Sequence, residues 1–322
     1  MAQTPRMMRA VALDRFGGPD ALRLQMIPVP EMGPDEVLMA VEVAGVGEWD
    51  PFEREGGYAE MTGMTPDFPY ILGSEGAGTV AAVGAQVDRF KVGDRVYAAG
   101  FLNPKGGFYA EYAAVNAGLV APIPAHLTTE QAGVVGGVGL TALRGLDDTL
   151  GLKPGESVLI FGASGGIGHL AVQLAKQMGA RVFAVASGDD GVALAKRLGA
   201  DAVVDGHKDD VPAAIHAFAP GGLDAALLTA GGDVAAQALQ AMRDGGRVAY
   251  PNGIQPVPEA REGVQVQGYN GDPDAAILDK FNQMAAVESF TAHVARTFPL
   301  ESAAEAHEAL ETHYLGKLAL RV

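Results

Sequence analysis

Ser157–Gly168 reads SVLIFGASGGIG and runs on into HLAVQLAKQM. The first five residues have the apolar continuity of a buried strand, and Ile167–Met178 has helical spacing. Strand, glycine-rich turn and helix form the context that a dinucleotide fingerprint needs. In that context Gly165 lets the backbone approach a pyrophosphate, and Gly168 lets the helix pack close to the strand. The helix N-terminus then offers free N–H groups and a positive dipole end to the phosphates. Ala163, Ser164, Gly166 and Ile167 complete this cofactor-binding turn. Ala163 stands where the first glycine of GxGxxG usually sits, so the reading rests on the flanking elements rather than on the bare pattern.

Working outward, the downstream chain alternates strand and helix. Arg181–Ala186 reads as a strand, Gly191–Leu198 as a helix, and Ala202–Val204, Ala225–Thr229 and Arg247–Tyr250 as further strands. Alternation of this kind predicts a parallel, doubly wound α/β sheet. Just upstream, Thr128-Thr129-Glu130 resembles a helix start, and an Ala/Gly/Val-rich helix is expected to run to Leu150. Before Pro122-Ile123-Pro124 the texture is β-rich: Val37–Val46, Gly76–Val83 and Arg95–Tyr97 are separated by Gly, Pro and Asp. The tail predicts one helix, Glu301–Glu311, and one strand, Lys317–Val322.

The 322-residue length suits two domains. With 48% apolar and 19% charged residues, the composition is that of a globular chain with a sizeable core. A net charge of -16 works against nucleic-acid binding, which needs a basic stripe. The absence of cysteine excludes disulfides and thiolate-ligated metals. No signal peptide and no apolar run of about 18 residues is seen, so neither a membrane span nor export is expected and the protein is read as cytoplasmic.

Cofactor preference is read at the end of the second strand of the alternating region. Ala186-Ser187-Gly188 has no carboxylate for the adenine ribose, which favours NADPH, with NADH possible. Ser187 is a small donor there, and Lys196, Arg197 or Lys208 could supply a positive charge.

The chain as a whole resembles the medium-chain dehydrogenase/reductase superfamily, on its zinc-independent, zeta-crystallin-like quinone oxidoreductase branch. The stretches that carry the resemblance include MRAVALDRFGGPDALRL, VAGVGEWDPFEREGGY, PYILGSEGAGTVAAVG, KVGDRVYA, GGFYAEYAAV, GESVLIFGASGGIGHLAVQLAK and the terminal FPLESAAEAHEALE…GKLALRV. They run in the family's order over nearly the full length. The resemblance implies a GroES-like catalytic domain at 1–124, completed by 275–322, around a Rossmann domain at 125–274. It also implies a homodimer formed through Rossmann edge strands.

Zinc-dependent relatives hold their catalytic metal on ligands that this sequence lacks. The first Cys position aligns with Gly47, the His of a GHE motif with Ser74, and the third ligand with the cysteine-free Val134–Val138, while Glu75 remains. Asp50, Glu48 and Glu75 do not make a tetrahedral zinc set, so no metal is expected. A site of that kind must stabilise negative charge by hydrogen bonding or proton donation, which suits an electron-poor acceptor such as a quinone or enone.

By the same resemblance, Tyr58 is placed beside the cofactor as a catalytic hydrogen-bond or proton donor. Asp50 holds the active-site loop, and Trp49 and Phe52 line the substrate pocket. Phe52 stands where relatives have a second tyrosine, so it can stack but not donate. Thr229 and Gly232 in TAGG, Tyr250 and Asn252 in YPNG, and Lys317 near the tail border the cofactor. Tyr58 could equally be a loop residue with its hydroxyl in water, Lys317 a solvated lysine, and Thr141 a helix-interior threonine. His307 and His313 are expected on the surface. Two other readings stay open: an enoyl-thioester reductase of the same fold, and an NADPH-binding protein with little catalysis.

Overall fold

The computed structural model describes residues 5–63 and 65–322. They form two compact units, one running up to Gly137 and taken up again over Pro273–Val322, the other Val138–Asp272.

The second unit is built on a six-stranded parallel sheet. Its order is Ala202–Asp205, Arg181–Ala186, Ser157–Phe161, Leu223–Leu228, Met242–Pro251, Gln265–Tyr269. All five residues of SVLIF are buried, because helices cover a parallel sheet on both faces and leave no polar side. Sequence order reverses between Ser157–Phe161 and Leu223–Leu228, the switch point where such sheets open a crevice at their carboxyl ends. The helix Gly166–Gln177 follows the central strand directly. The edge strand Gln265–Tyr269 went unread in the sequence, because its QVQGY pattern is mostly exposed and shows no apolar run.

The first unit is β-rich with a GroES-like topology. Its larger sheet runs Val294–Pro299, Lys317–Arg321, Glu36–Val46, Glu75–Val83, Arg95–Ala99, Val120–Pro122, and Tyr112–Asn116 also pairs with Glu36–Val46. A smaller sheet orders Leu22–Pro28, Met7–Leu13 and Tyr70–Ile71. The tail is thus part of this unit's sheet: Leu318 lies opposite Val46 and Leu320 opposite Ala44, antiparallel. Met39, Leu72, Phe108, Tyr109 and Phe298 fill the core between these layers.

One expectation about the middle of the chain is corrected. The helix predicted from Thr128 to Leu150 is three pieces: Thr129–Ala132, Gly136–Leu143 and a π-helical turn over Arg144–Thr149. Thr128 and Gln131 cap the first piece reciprocally. The break falls at glycines pressed onto the first unit's sheet. A Cβ on Gly133 would sit 2.7 Å from Val43 Cγ1, and one on Gly136 2.7 Å from the Ala98 carbonyl oxygen. The first compact unit takes in these residues as far as Gly137. The N-terminal third also holds two six-residue helices that its β-rich texture conceals, Trp49–Arg54 and Gly57–Thr62.

Candidate active site

In the second unit the turn after Ser157–Phe161 is set by its glycines. Gly162 has φ +82°, and a Cβ there would lie 2.3 Å from Thr229 Oγ1. Thr229 in turn donates its hydroxyl to the Phe161 carbonyl at 2.9 Å, so it clamps the end of the strand. A Cβ on Gly168 would approach the Gly162 carbonyl oxygen to 2.1 Å and the Ala163 Cα to 2.8 Å, so helix and turn touch through backbone. Gly165 is different. A Cβ there would meet only the Gly162 carbonyl, at 3.5 Å, so the protein itself has room for a side chain. No side chain caps the helix at Gly165, so its first-turn N–H groups take no capping side-chain acceptor. Ala163 is fully buried and donates its N–H to the Val185 carbonyl at 2.9 Å.

Ser187 begins the next helix, Gly188–Arg197. Its N–H donates to Ser164 Oγ at 3.4 Å, and its hydroxyl is bonded to His207 Nε2 at 3.0 Å. Of the three cations considered, Lys208 is the one beside this place, where it donates to Asp189 Oδ1 at 2.7 Å and lies 3.4 Å from Asp205 Oδ2. Lys196 and Arg197 lie in the last turn of that helix. His207 was not singled out from sequence, since a lone histidine after a strand carries no spacing signal. Gly232 has φ +104° with open space where a side chain would be. Asn252 donates to Asn270 Oδ1 at 2.8 Å, and Tyr250 is half-buried at the end of its strand. Thr141 is buried in the helix Gly136–Leu143, packed where Gly271 has no Cβ.

In the first unit Trp49, Asp50 and Phe52 share the helix Trp49–Arg54, and Tyr58 lies on Gly57–Thr62. Asp50 is fully buried. Its Oδ2 accepts from the Gly47 N–H and from the Tyr109 hydroxyl, both at 2.8 Å, while the Asp50 N–H returns to the Gly47 carbonyl. Burial pushes its carboxyl up to about 6, against the pull of Lys317.

Behind Tyr109 lies His307, which corrects the surface expectation: it is only 2% exposed. Its Nδ1 is 3.1 Å from Arg54 Nη1 and its Nε2 3.1 Å from the Tyr109 hydroxyl. Arginine can only donate, so Nδ1 accepts and a neutral ring carries its proton on Nε2. The bonds then run one way, from Arg54 through His307 and Tyr109 to Asp50. Burial, helped by the Arg54 cation, lowers the His307 ring to about 3, which keeps that tautomer neutral. Glu53, one turn along, accepts from the Tyr70 hydroxyl, and burial pushes its carboxyl up to about 7.

Tyr58 is half-buried on its helix. The edges and faces of Phe52 and Phe101 meet its ring at 4.9 and 5.0 Å, near right angles. Among the described residues its hydroxyl has no hydrogen-bond partner. Burial, then the carboxylates of Glu53 and Asp50, raise the phenol above its ordinary value, so it stays a donor. Phe52 keeps 47% of its surface exposed. Trp49 donates its indole N–H to Ser74 Oγ at 2.8 Å.

Lys317 is not a solvated lysine: it is 3% exposed, with its Nζ 2.8 Å from Oε1 of the equally buried Glu75. Glu75 Oε2 accepts from the Gly137 N–H at 2.7 Å.

Comparison with known proteins decides the family. Residues 33–125 match the alcohol dehydrogenase GroES-like domain, and residues 166–258 match the family described as zinc-binding dehydrogenase. A quinone oxidoreductase of Lama guanicoe is 32% identical over 98% of this chain and 97% of its own length. The chain belongs to the medium-chain dehydrogenase/reductase superfamily, on its zeta-crystallin-like quinone oxidoreductase branch. It is an oxidoreductase built for a nicotinamide cofactor. Among solved structures, a quinone oxidoreductase from Coxiella burnetii superposes with a TM-score of 0.84 at 29% identity, covering 98% of this chain and 99% of that one. A mycobacterial protein solved in complex with NADPH gives 0.81 at 28% identity, covering 98% and 100%.

Zinc belongs to the name of one matched family, yet the donors here do not fit it. Gly47 has no side chain, Ser74 is engaged by Trp49, and Glu75 is engaged by Lys317 and Gly137. Among the described residues no three His, Asp or Glu side chains gather as a metal site. No helix among them is long and apolar enough to cross a membrane.

Proposed function

We propose that this chain is a zinc-independent, NADPH-dependent reductase that passes hydride to a quinone or an α,β-unsaturated carbonyl. The observation that carries this reading is the character of the groups around Asp50: hydrogen-bond donors, an ammonium and aromatic rings, with no gathered set of metal donors among the described residues. Such a site favours acceptors whose charge develops on a conjugated oxygen, where a hydrogen bond suffices. When bound, the reduced nicotinamide supplies the hydride. Tyr58 then donates a hydrogen bond to the oxygen that gains charge, and Tyr58 or water gives the proton. Trp49 and Phe52 offer apolar faces for a flat substrate, and Asp50 holds their helix through Gly47 and Tyr109.

The turn from Ala163 to Gly168 receives the pyrophosphate on this reading. Gly165 is a glycine that internal packing does not require, which suits close approach of a ligand. Ser187, His207 and Lys208 receive the 2′-phosphate, and Thr229, Gly232, Tyr250 and Asn252 lie toward the ribose and nicotinamide. A homodimer across the exposed edge strand Gln265–Tyr269 belongs to the same reading.

The test is consumption of NADPH and, separately, of NADH by the purified protein, each with and without a simple quinone. Quinone-dependent loss of NADPH should exceed that of NADH by about tenfold or more, since about 1.4 kcal/mol at the ribose is enough. Equal rates would remove the 2′-phosphate site, and tight NADPH binding without turnover would remove the reductase reading. Tyr58→Phe should lower kcat about 100-fold, the scale of a lost general acid, with NADPH affinity kept. Unchanged turnover in that variant takes Tyr58 out of the chemistry.

A further inference from the structure

The first place where zinc-dependent relatives put a ligand is not simply vacant in this chain. A Cβ built on Gly47 would lie 2.9 Å from Trp49 Cε2 and 3.2 Å from Lys317 Nζ, so the room a ligand side chain needs there is taken by an indole and an ammonium. The same Nζ is 2.8 Å from Glu75 Oε1 and 5.2 Å from the centroid of the Trp49 ring. A Cβ on Gly45 would come within 2.5 Å of Glu75 Oε1, so the carboxylate is walled in from the other side. One positive charge thus sits among the residues that align with metal ligands, facing the one acid of that motif that persists.

We infer that the Lys317 ammonium is a tethered cation that takes both the room and the charge of a metal ion. Three features fit that role better than an ordinary structural ion pair. The ammonium meets Glu75 at ion-pair distance but out of line for a hydrogen bond, and it has no other hydrogen-bond partner among the described residues, so its donors are unspent. Glu75 is held from its other oxygen by the Gly137 N–H and cannot turn away. Trp49, fixed by Ser74, presents its π face to the cation. Lys317 is a positioning residue on this account: its charge fixes Glu75 and Trp49 and sets the potential at the head of the Trp49–Arg54 helix. The inference extends the metal-free reading above, and its first test does not depend on turnover.

Lys317→Ala in the full-length protein leaves Glu75 buried without a cation. Its Tm should fall by about 10 °C. Propylammonium, which carries the three carbons and the charge removed, should restore most of that loss in a saturable way, and the wild type should not respond. A variant as stable as the wild type, or an equal response of both proteins to the amine, overturns the inference. The second variant, Lys317→Met with Glu75→Gln, removes the charge without stranding a partner. It should fold, keep NADPH affinity, and lose about 100-fold in quinone-dependent kcat. Wild-type turnover in this pair would show the charge to be idle and sinks the inference even if Lys317→Ala does not fold. Failure of both variants to fold also overturns it, because the pair then serves the fold alone. If the wild type reduces no quinone, the proposed function fails by itself, while the amine response of Lys317→Ala still tests the buried cation because it needs no turnover.

Discussion

Gly168→Ala should lose about 100-fold or more in NADPH affinity, measured by calorimetric or fluorescence titration, together with a clear fall in Tm. The added methyl would lie 2.1 Å from the Gly162 carbonyl oxygen and 2.8 Å from Ala163 Cα. Both are backbone atoms of a buried turn, so no side chain can swing aside. The helix Gly166–Gln177 must move away from the strand, at an overpacking cost of about 1–3 kcal/mol. Its first-turn N–H groups move with it, and phosphate binding depends on their placement. Gly165→Ala is the informative control. There the nearest atom is 3.5 Å away, so Tm should stay near the wild-type value while affinity falls. Normal NADPH binding by both variants would mean that this turn does not hold the pyrophosphate.

His307→Phe should destabilise the protein by about 3 kcal/mol at neutral pH, because it strands two buried groups. Arg54 loses an acceptor for Nη1 and Tyr109 loses a donor to its oxygen. Turnover should fall as well, since Tyr109 orients Asp50 and Asp50 orients Gly47. The pH dependence separates this role from simple packing. In the fold His307 titrates at about 3 rather than 6.5, so the unfolded chain binds its proton first as the pH drops. The stability that the neutral ring contributes is therefore present above about 6.5 and is lost on acidification toward about 3. Asp50 and Glu53, raised to about 6 and about 7, have the opposite slope: their contribution is full at low pH and is lost as the pH rises through those values. Those two carboxylates remain in both proteins. The gap in Tm between wild type and variant should thus narrow from pH 7 to pH 5. A constant or widening gap would mean that the fold does not favour the neutral His307 ring.

The dinucleotide-binding half is legible because its signals are local. SVLIF followed by GASGGIG sets a strand, a turn and a helix within a dozen residues, and the glycine contacts follow from that geometry. The GroES-like half is harder to read because several of its buried residues are charged. WDPFER folds as a helix that buries Asp50, Glu53 and Arg54, the residue types that composition assigns to the surface. Nothing in that hexapeptide announces its partners, which lie far along the chain in Tyr70, Tyr109 and His307. His307 did carry a signal. Ala303, Ala306, His307 and Leu310 recur at helical spacing and form the buried face of the tail helix, so periodicity alone places the ring inside. Lys317 had no such signal, because the first residue of a strand can face either way until its sheet neighbours are known.

The tail strand has a consequence for the order in which the protein is made. Lys317–Arg321 zips onto Val43–Val46, residues translated long before it. The second unit is continuous in sequence, so its strands emerge in one block, whereas the first unit waits with part of that strand bare. At about 5–20 residues per second, the ribosome needs about 10–40 s to go from residue 122 to residue 321. Over that interval an apolar strand edge is open to any neighbouring nascent chain. Slower synthesis lengthens that exposure.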